Sequence, residues 1–309
     1  MKNTFRRIAT LALAALLLCG LMITAQAEAD ATVPEGIILT ADTPYIDDGN
    51  KDHLLDVYKP EDAAEVNPVI VEIHGGGFIG GSKETNTDHS IVYAQAGFTV
   101  VTPNYTRLPE GNFKTVIQNV FAALHWVADN AAEYGFDMDH VFMSGDSAGA
   151  ATTSLVAAAL TSESVREYYE VELPGFEVKG YVLTCPTVDI LSIRDDLGAS
   201  GYLGYKAKTI GEEILMDDEL MNMAHVFNLL EDTYPEVYIL TTPTDELFYH
   251  MSVDFDAALT EKGIPHEYHV YEGEENVLGH VFNVSDVDFP ESIRANADAI
   301  AYLKALCEK

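Results

Sequence analysis

Basic residues are scarce in this chain: 17 Lys and Arg stand against 50 Asp and Glu, for a formal charge of −33. A surface this acidic repels phosphate backbones and anionic lipid headgroups, which argues against nucleic acid and membrane surfaces as partners. The excess reads as a means of solubility rather than as an acid-binding device. Cysteine is also rare, with only Cys19, Cys185 and Cys307. That is too few for a disulfide framework, and none has metal-ligand spacing, so no zinc site is expected. Cys185 closes an apolar run and reads as a buried free thiol. No internal repeat or low-complexity stretch appears, which excludes solenoid and linker architectures.

Long apolar runs are missing too, except over residues 8–23. Lys2, Arg6 and Arg7 precede that run, and Ala25-Gln26-Ala27 follows it. A positive start, an apolar stretch and a small-x-small site form a secretory leader, with cleavage expected after Ala27. Losing it takes the formal charge from −33 to about −36. The expected organisation is a signal peptide at 1–27 and one domain at 28–309, secreted or extracytoplasmic and off the membrane once processed. That length suffices for one sizeable core. Nothing in the sequence fixes an oligomeric state.

The rest alternates between strand-like and helix-like segments. Residues 69–73, 98–102, 179–184 and 237–241 are β-branched or apolar runs bounded by breakers, as buried strands are. Phe113, Val116, Ile117, Val120, Phe121, Leu124 and Val127 recur at helical spacing. Such alternation predicts an α/β protein with a mostly parallel sheet wrapped on both faces. Residues 187–234 break the rhythm and read as a cap above the strands' carboxyl ends. Its Tyr202, Tyr205, Met221 and Met223 either line a pocket or form the cap's own core.

Two motifs carry chemistry. Val141, Phe142 and Met143 lead into Gly145-Asp146-Ser147-Ala148-Gly149, and an alanine-rich helical stretch follows at 150–160. A G-x-S-x-G between strand and helix holds its serine exposed on a strained turn, at a helix end that favours negative charge. The second motif, His74-Gly75-Gly76-Gly77-Phe78, directly follows a buried strand. Three glycines there free main-chain N–H groups to face a ligand. A serine nucleophile also needs a base and an orienting acid. Ser147, Asp245 and His280 come in the chain order Ser, acid, His. His250, His266 and His269 compete as base, and Asp189, Glu246 and Asp254 as acid. Asp146 reads as a structural acceptor, and His125 as an ordinary helix residue.

With H-G-G-G-F at 74–78, N-Y-x-R-L-P at 104–109, G-D-S-A-G at 145–149, D-E-L-F at 245–248 and G-H-V-F at 279–282, the chain resembles the hormone-sensitive-lipase-like and carboxylesterase group of α/β-hydrolases. Its nearest likeness is to secreted acetyl-xylan or feruloyl esterase-like proteins. The resemblance spans roughly residues 54–306. It implies an α/β-hydrolase fold, a small-molecule or carbohydrate ester as substrate, and no cofactor. By the same resemblance Ser147 attacks the carbonyl, His280 carries the proton and Asp245 orients His280. Main-chain N–H groups of Gly76, Gly77 and Ala148 then hold the oxyanion, and His74 props the loop. Thr106, Asn119 and Ala150 depart from the group's pattern. The expected activity is a serine carboxylic-ester hydrolase on small or short-acyl esters. The alternatives are a small amidase on the same residues or a non-catalytic binding protein on a hydrolase fold. An unperturbed histidine base puts the rise of rate with pH near ~6–7.

Overall fold

The computed structural model describes residues 33–274 and 276–308. The expected signal peptide, residues 1–27, lies outside the described residues. Glu35 onward forms one compact unit holding an eight-stranded sheet. In chain order its elements are β1 (Ile37–Pro44), β2 (Leu54–Pro60), β3 (Asn67–Ile73), α1 (Thr87–Gln95), β4 (Thr99–Pro103) and α2 (Phe113–Asp129). There follow β5 (Phe136–Asp146), α3 (Ala148–Thr161), β6 (Val178–Thr184), α4 (Tyr202–Ile210), β7 (Val237–Thr241), α5 (Tyr249–Lys262), β8 (His266–Val270) and α6 (Pro290–Leu306).

The strands lie in the order β1-β2-β4-β3-β5-β6-β7-β8. β2 is antiparallel to β1 and β4, and every later pairing is parallel. This is the mostly parallel α/β sheet expected from the alternation. Strands covered on both faces need apolar side chains on both, which explains the continuous runs in β3, β5 and β7. One face packs against α2, α3 and α5 through residues such as Val120, Leu124, Leu155 and Phe255. The other packs against α1 and α6 through Tyr93, Ala299 and Leu303.

Local signals explain the helix ends. Asn112 caps α2 by accepting from the Thr115 N–H at 3.0 Å, which satisfies one of the free donors of the first turn. Gly263, left-handed at φ 68°, ends α5. Pro290 opens α6 at a position where no N–H is needed. Residues 187–234 run between β6 and β7 as short helices, of which α4 is the longest. In this segment Met221 is fully buried, whereas Tyr202 and Tyr205 are 48% and 62% exposed. The methionine therefore belongs to the core, and the two tyrosines face outward.

The junction of β5 and α3 is the tightest point in the fold. A Cβ on Gly149 would lie 2.0 Å from the carbonyl oxygen of Ile73, and one on Gly145 2.6 Å from the backbone of Gly149. Both glycines are thus required by the approach of α3 to β3 and β5. Gly149→Ala should cost about 3 kcal/mol of stability, because main chain rather than a pliable side chain must give way. Thermal unfolding should fall by roughly 5–10 °C; an unchanged midpoint would show that the two elements have slack.

Candidate active site

The parallel sheet brings the carboxyl ends of β3, β5, β6, β7 and β8 side by side, and the sequence-predicted groups sit in loops that leave them. Ser147 lies between β5 and α3 at φ 52° and ψ −119°, a region that non-glycine residues rarely occupy. Its N–H donates to the Thr184 carbonyl at 2.9 Å, which helps to hold the turn. Ser147 is 8% exposed.

His280 and Asp245 converge on it. Ser147 Oγ lies 2.7 Å from His280 Nε2, and His280 Nδ1 lies 2.6 Å from Asp245 Oδ2. Asp245 follows β7 and is buried; its other oxygen accepts from the Phe248 N–H at 3.2 Å. With Asp245 ionised, the network assigns Nδ1–H as donor to the carboxylate and leaves Nε2 to accept from the serine hydroxyl. The loop carrying His280 is tied to the one carrying Asp245, since Thr244 Oγ1 donates to the Leu278 carbonyl at 2.6 Å. Phe248 packs on the imidazole, with ring centroids 4.7 Å apart.

The rival bases and acids are placed elsewhere. His250 is exposed. His266 bonds Asp256 and the Ile264 carbonyl, and His269 bonds Glu267. Asp189 caps a short cap helix through the Ser192 N–H, and Glu246 and Asp254 are exposed. His125 bonds the Glu172 carbonyl. Asp146 is the expected structural acceptor, for its Oδ1 takes Gly75 N–H at 2.9 Å and Asn86 Nδ2 at 2.8 Å. Burial raises its pKa.

The glycine loop faces the same place. Gly76 and Gly77 adopt φ 119° and 63°, which L side chains adopt poorly. Among the described residues no acceptor bonds the N–H of Gly76, Gly77 or Ala148. Those donors are free for a ligand, and Ala148 adds the positive end of α3. Behind the loop, His74 stacks on Tyr105 at 4.3 Å, and the Tyr105 hydroxyl donates to the His74 carbonyl at 2.8 Å. Burial pushes His74 down to about 4, so it stays neutral and props the loop. Asn119, one of the departures, keeps a structural task by accepting from the Thr106 N–H at 2.8 Å.

The sequence reading missed the buried network beneath the site. Glu72, in β3, bonds His89 Nδ1 at 2.5 Å and Ser90 Oγ at 2.5 Å. His89 Nε2 continues to Asn296 Oδ1, which also accepts from Asn283, three residues past His280. An acid inside the run V-I-V-E-I was the available signal, since an acid between buried apolar neighbours needs a partner. Also unanticipated is the setting of Cys185. Its Sγ lies within 4.8 Å of ligand atoms on Asp245 and His280. These are donor types a metal can take, but Nδ1 and Oδ2 already bond one another.

The surroundings of His280 revise the expected pH dependence. Burial favours its neutral form, yet the bonds and charge of Asp245 and Cys185 outweigh that and push the imidazole up to about 9. A base acts only when neutral, so a raised pKa moves the rising limb to alkaline pH. The kcat/KM for a neutral ester should therefore climb toward about pH 9, not level off near ~7 as an unperturbed histidine would. A plateau already reached at neutrality would show that the carboxylate does not hold the proton on His280.

The BD-FAE family model matches residues 55–259, two thirds of the chain. The chain belongs to the BD-FAE family. The match includes the glycine loop, the serine turn and Asp245, and ends before His280. Among curated proteins, it is similar to Esterase LipQ of Mycobacterium tuberculosis, at 30% identity over 45% of this chain and 32% of that one. It is also similar to Carboxylesterase NlhH of the same organism, at 36% identity over 36% of this chain and 35% of the other. The matched stretch thus spans about a third of the length of these relatives. Among solved structures, Esterase B from Lactobacillus rhamnosis matches over 100% of this chain and 97% of its own, with a TM-score of 0.84 and 25% identity. The α/β-hydrolase fold of this BD-FAE chain is therefore shared with that protein.

Proposed function

We propose that this BD-FAE protein is a serine carboxylic-ester hydrolase that works through an acyl-enzyme on small, short-acyl esters. The observation that carries the reading is the relay of two short hydrogen bonds, Ser147 Oγ to His280 Nε2 and His280 Nδ1 to Asp245 Oδ2. Relatives that bear the name esterase support it. In this reading His280 takes the hydroxyl proton as Ser147 Oγ attacks the ester carbonyl. The oxyanion forms against the free N–H groups of Gly76, Gly77 and Ala148, each worth ~3 kcal/mol of barrier. His280 then gives its proton to the leaving alcohol. Water attacks the acyl-enzyme by the same relay in reverse, and the acid departs.

The enclosed serine, with Phe248 packed on the base and Tyr202 in edge contact with Phe248 at 6.2 Å, favours a compact acyl group. Export from the cell belongs to the same proposal and rests on the leader-like pattern of residues 1–27. The test is labelling with a fluorophosphonate, together with a panel of acetyl, butyryl, longer acyl and feruloyl esters and matched amides. Labelling confined to Ser147 and turnover of short esters is the expected result. Absence of both would leave a binding protein on a hydrolase fold.

A further inference from the structure

Lys206, on α4, is a cation in an unusual position. In a chain with 50 acidic residues, a partly buried ammonium finds carboxylates easily. Lys83 shows this, with Asp42, Asp56 and Glu84 all within 3.0 Å of its Nζ. Lys206 is half-buried, and among the described residues no carboxylate lies within 4.0 Å of it. Burial alone acts on its amine, lowering the pKa with no acid to offset it.

What does hold the ammonium ties it to the glycine loop and to Tyr202. Its Nζ donates to the Gly76 carbonyl at 3.1 Å and lies 5.2 Å from the centroid of the Tyr202 ring. A Cβ placed on Gly77 would come within 2.8 Å of the same nitrogen, so the charge stands beside the main chain expected to hold the oxyanion. Tyr202 touches Phe248, which touches His280. An ammonium offers three donors, and one is used here. Among the described residues the other two have no hydrogen-bond partner, beside a loop that Ser147 also faces.

We propose that Lys206 is a specificity-determining residue that takes an anionic oxygen, such as a carboxylate, carried by the substrate close to the scissile ester. The inference rests on the ester-hydrolase reading above and deepens it by naming a substrate class. A carboxylate there would form a charge-assisted bond in a partly desolvated place, where such bonds are strong. The acidic exterior does not forbid this, because it is screened beyond roughly 8 Å at physiological ionic strength. It makes a local cation the more necessary.

The carboxylate could sit on either side of the ester, and two substrate pairs separate the cases. Monomethyl glutarate against methyl pentanoate places it on the acyl side; O-acetylglycolate against ethyl acetate places it on the alcohol side. Rates are followed by pH-stat for wild type, Lys206→Met and Lys206→Arg. Met keeps the apolar stem against Tyr202. In one pair Lys206→Met should lower the ratio of anionic to neutral kcat/KM by ~10-fold or more, and Lys206→Arg should largely keep it. An equal fall for anionic and neutral esters would make Lys206 a mere tether of the glycine loop and overturn the proposal, as would unchanged ratios in both pairs. Failure of the parent reading looks different: wild type would turn over no ester and take up no fluorophosphonate.

Discussion

Ser147→Ala should abolish turnover of a short-chain ester, with kcat falling ~10⁴-fold or more while the fold remains intact. The substitution deletes only the hydroxyl facing His280 Nε2 at 2.7 Å. The turn is held by the Ser147 N–H, which an alanine keeps. Thermal unfolding should therefore be nearly unchanged, and fluorophosphonate labelling should vanish. Residual rate above buffer would come from the free N–H groups of the glycine loop, which still stabilise negative charge on the carbonyl oxygen. Hydrolysis at the wild-type rate would remove Ser147 from the chemistry altogether.

Asp245→Asn is the second large effect, and its direction follows from the bonds at both carboxylate oxygens. Oδ1 accepts from the Phe248 N–H, and Oδ2 faces His280 Nδ1. An asparagine must keep its carbonyl oxygen on the backbone donor, which turns its NH₂ toward the imidazole. Nδ1 then has to accept, the ring proton moves to Nε2, and Nε2 can no longer take the proton of Ser147. A fall in kcat of about 10⁴-fold is expected from the wrong tautomer alone. Losing the carboxylate should also bring the pH limb of His280 back toward neutrality, because Asp245, together with Cys185, opposes the effect of burial. A variant with nearly full activity would mean that another group orients the base.

The parts of the site that lie in one stretch of chain were legible from the sequence. The serine turn announces itself because strand, two glycines and helix are contiguous. The glycine triplet does so because no regular element tolerates it. Asp245 and His280 were legible by order, since a parallel sheet fixes which loops share a rim. What escaped depends on contacts across the chain. Lys206 reaches Gly76 from 130 residues away, and the bond between His89 and Asn296 spans 207. No periodicity records such meetings. The elevated pKa of His280 escaped for the same reason: it depends on how deeply the ring is buried against how close Asp245 and Cys185 come.

The lone tryptophan has a practical consequence. Trp126 packs on Tyr134 and Phe136, where β5 begins, whereas Ser147 follows the strand's other end. At about 3.3 Å per residue the two are separated by roughly 30 Å along β5. Intrinsic emission from this indole consequently reports whether the sheet and α2 hold together, and is blind to an ester arriving at Ser147. Optical titrations of ligand binding require a second indole, introduced near the cap's outward tyrosines.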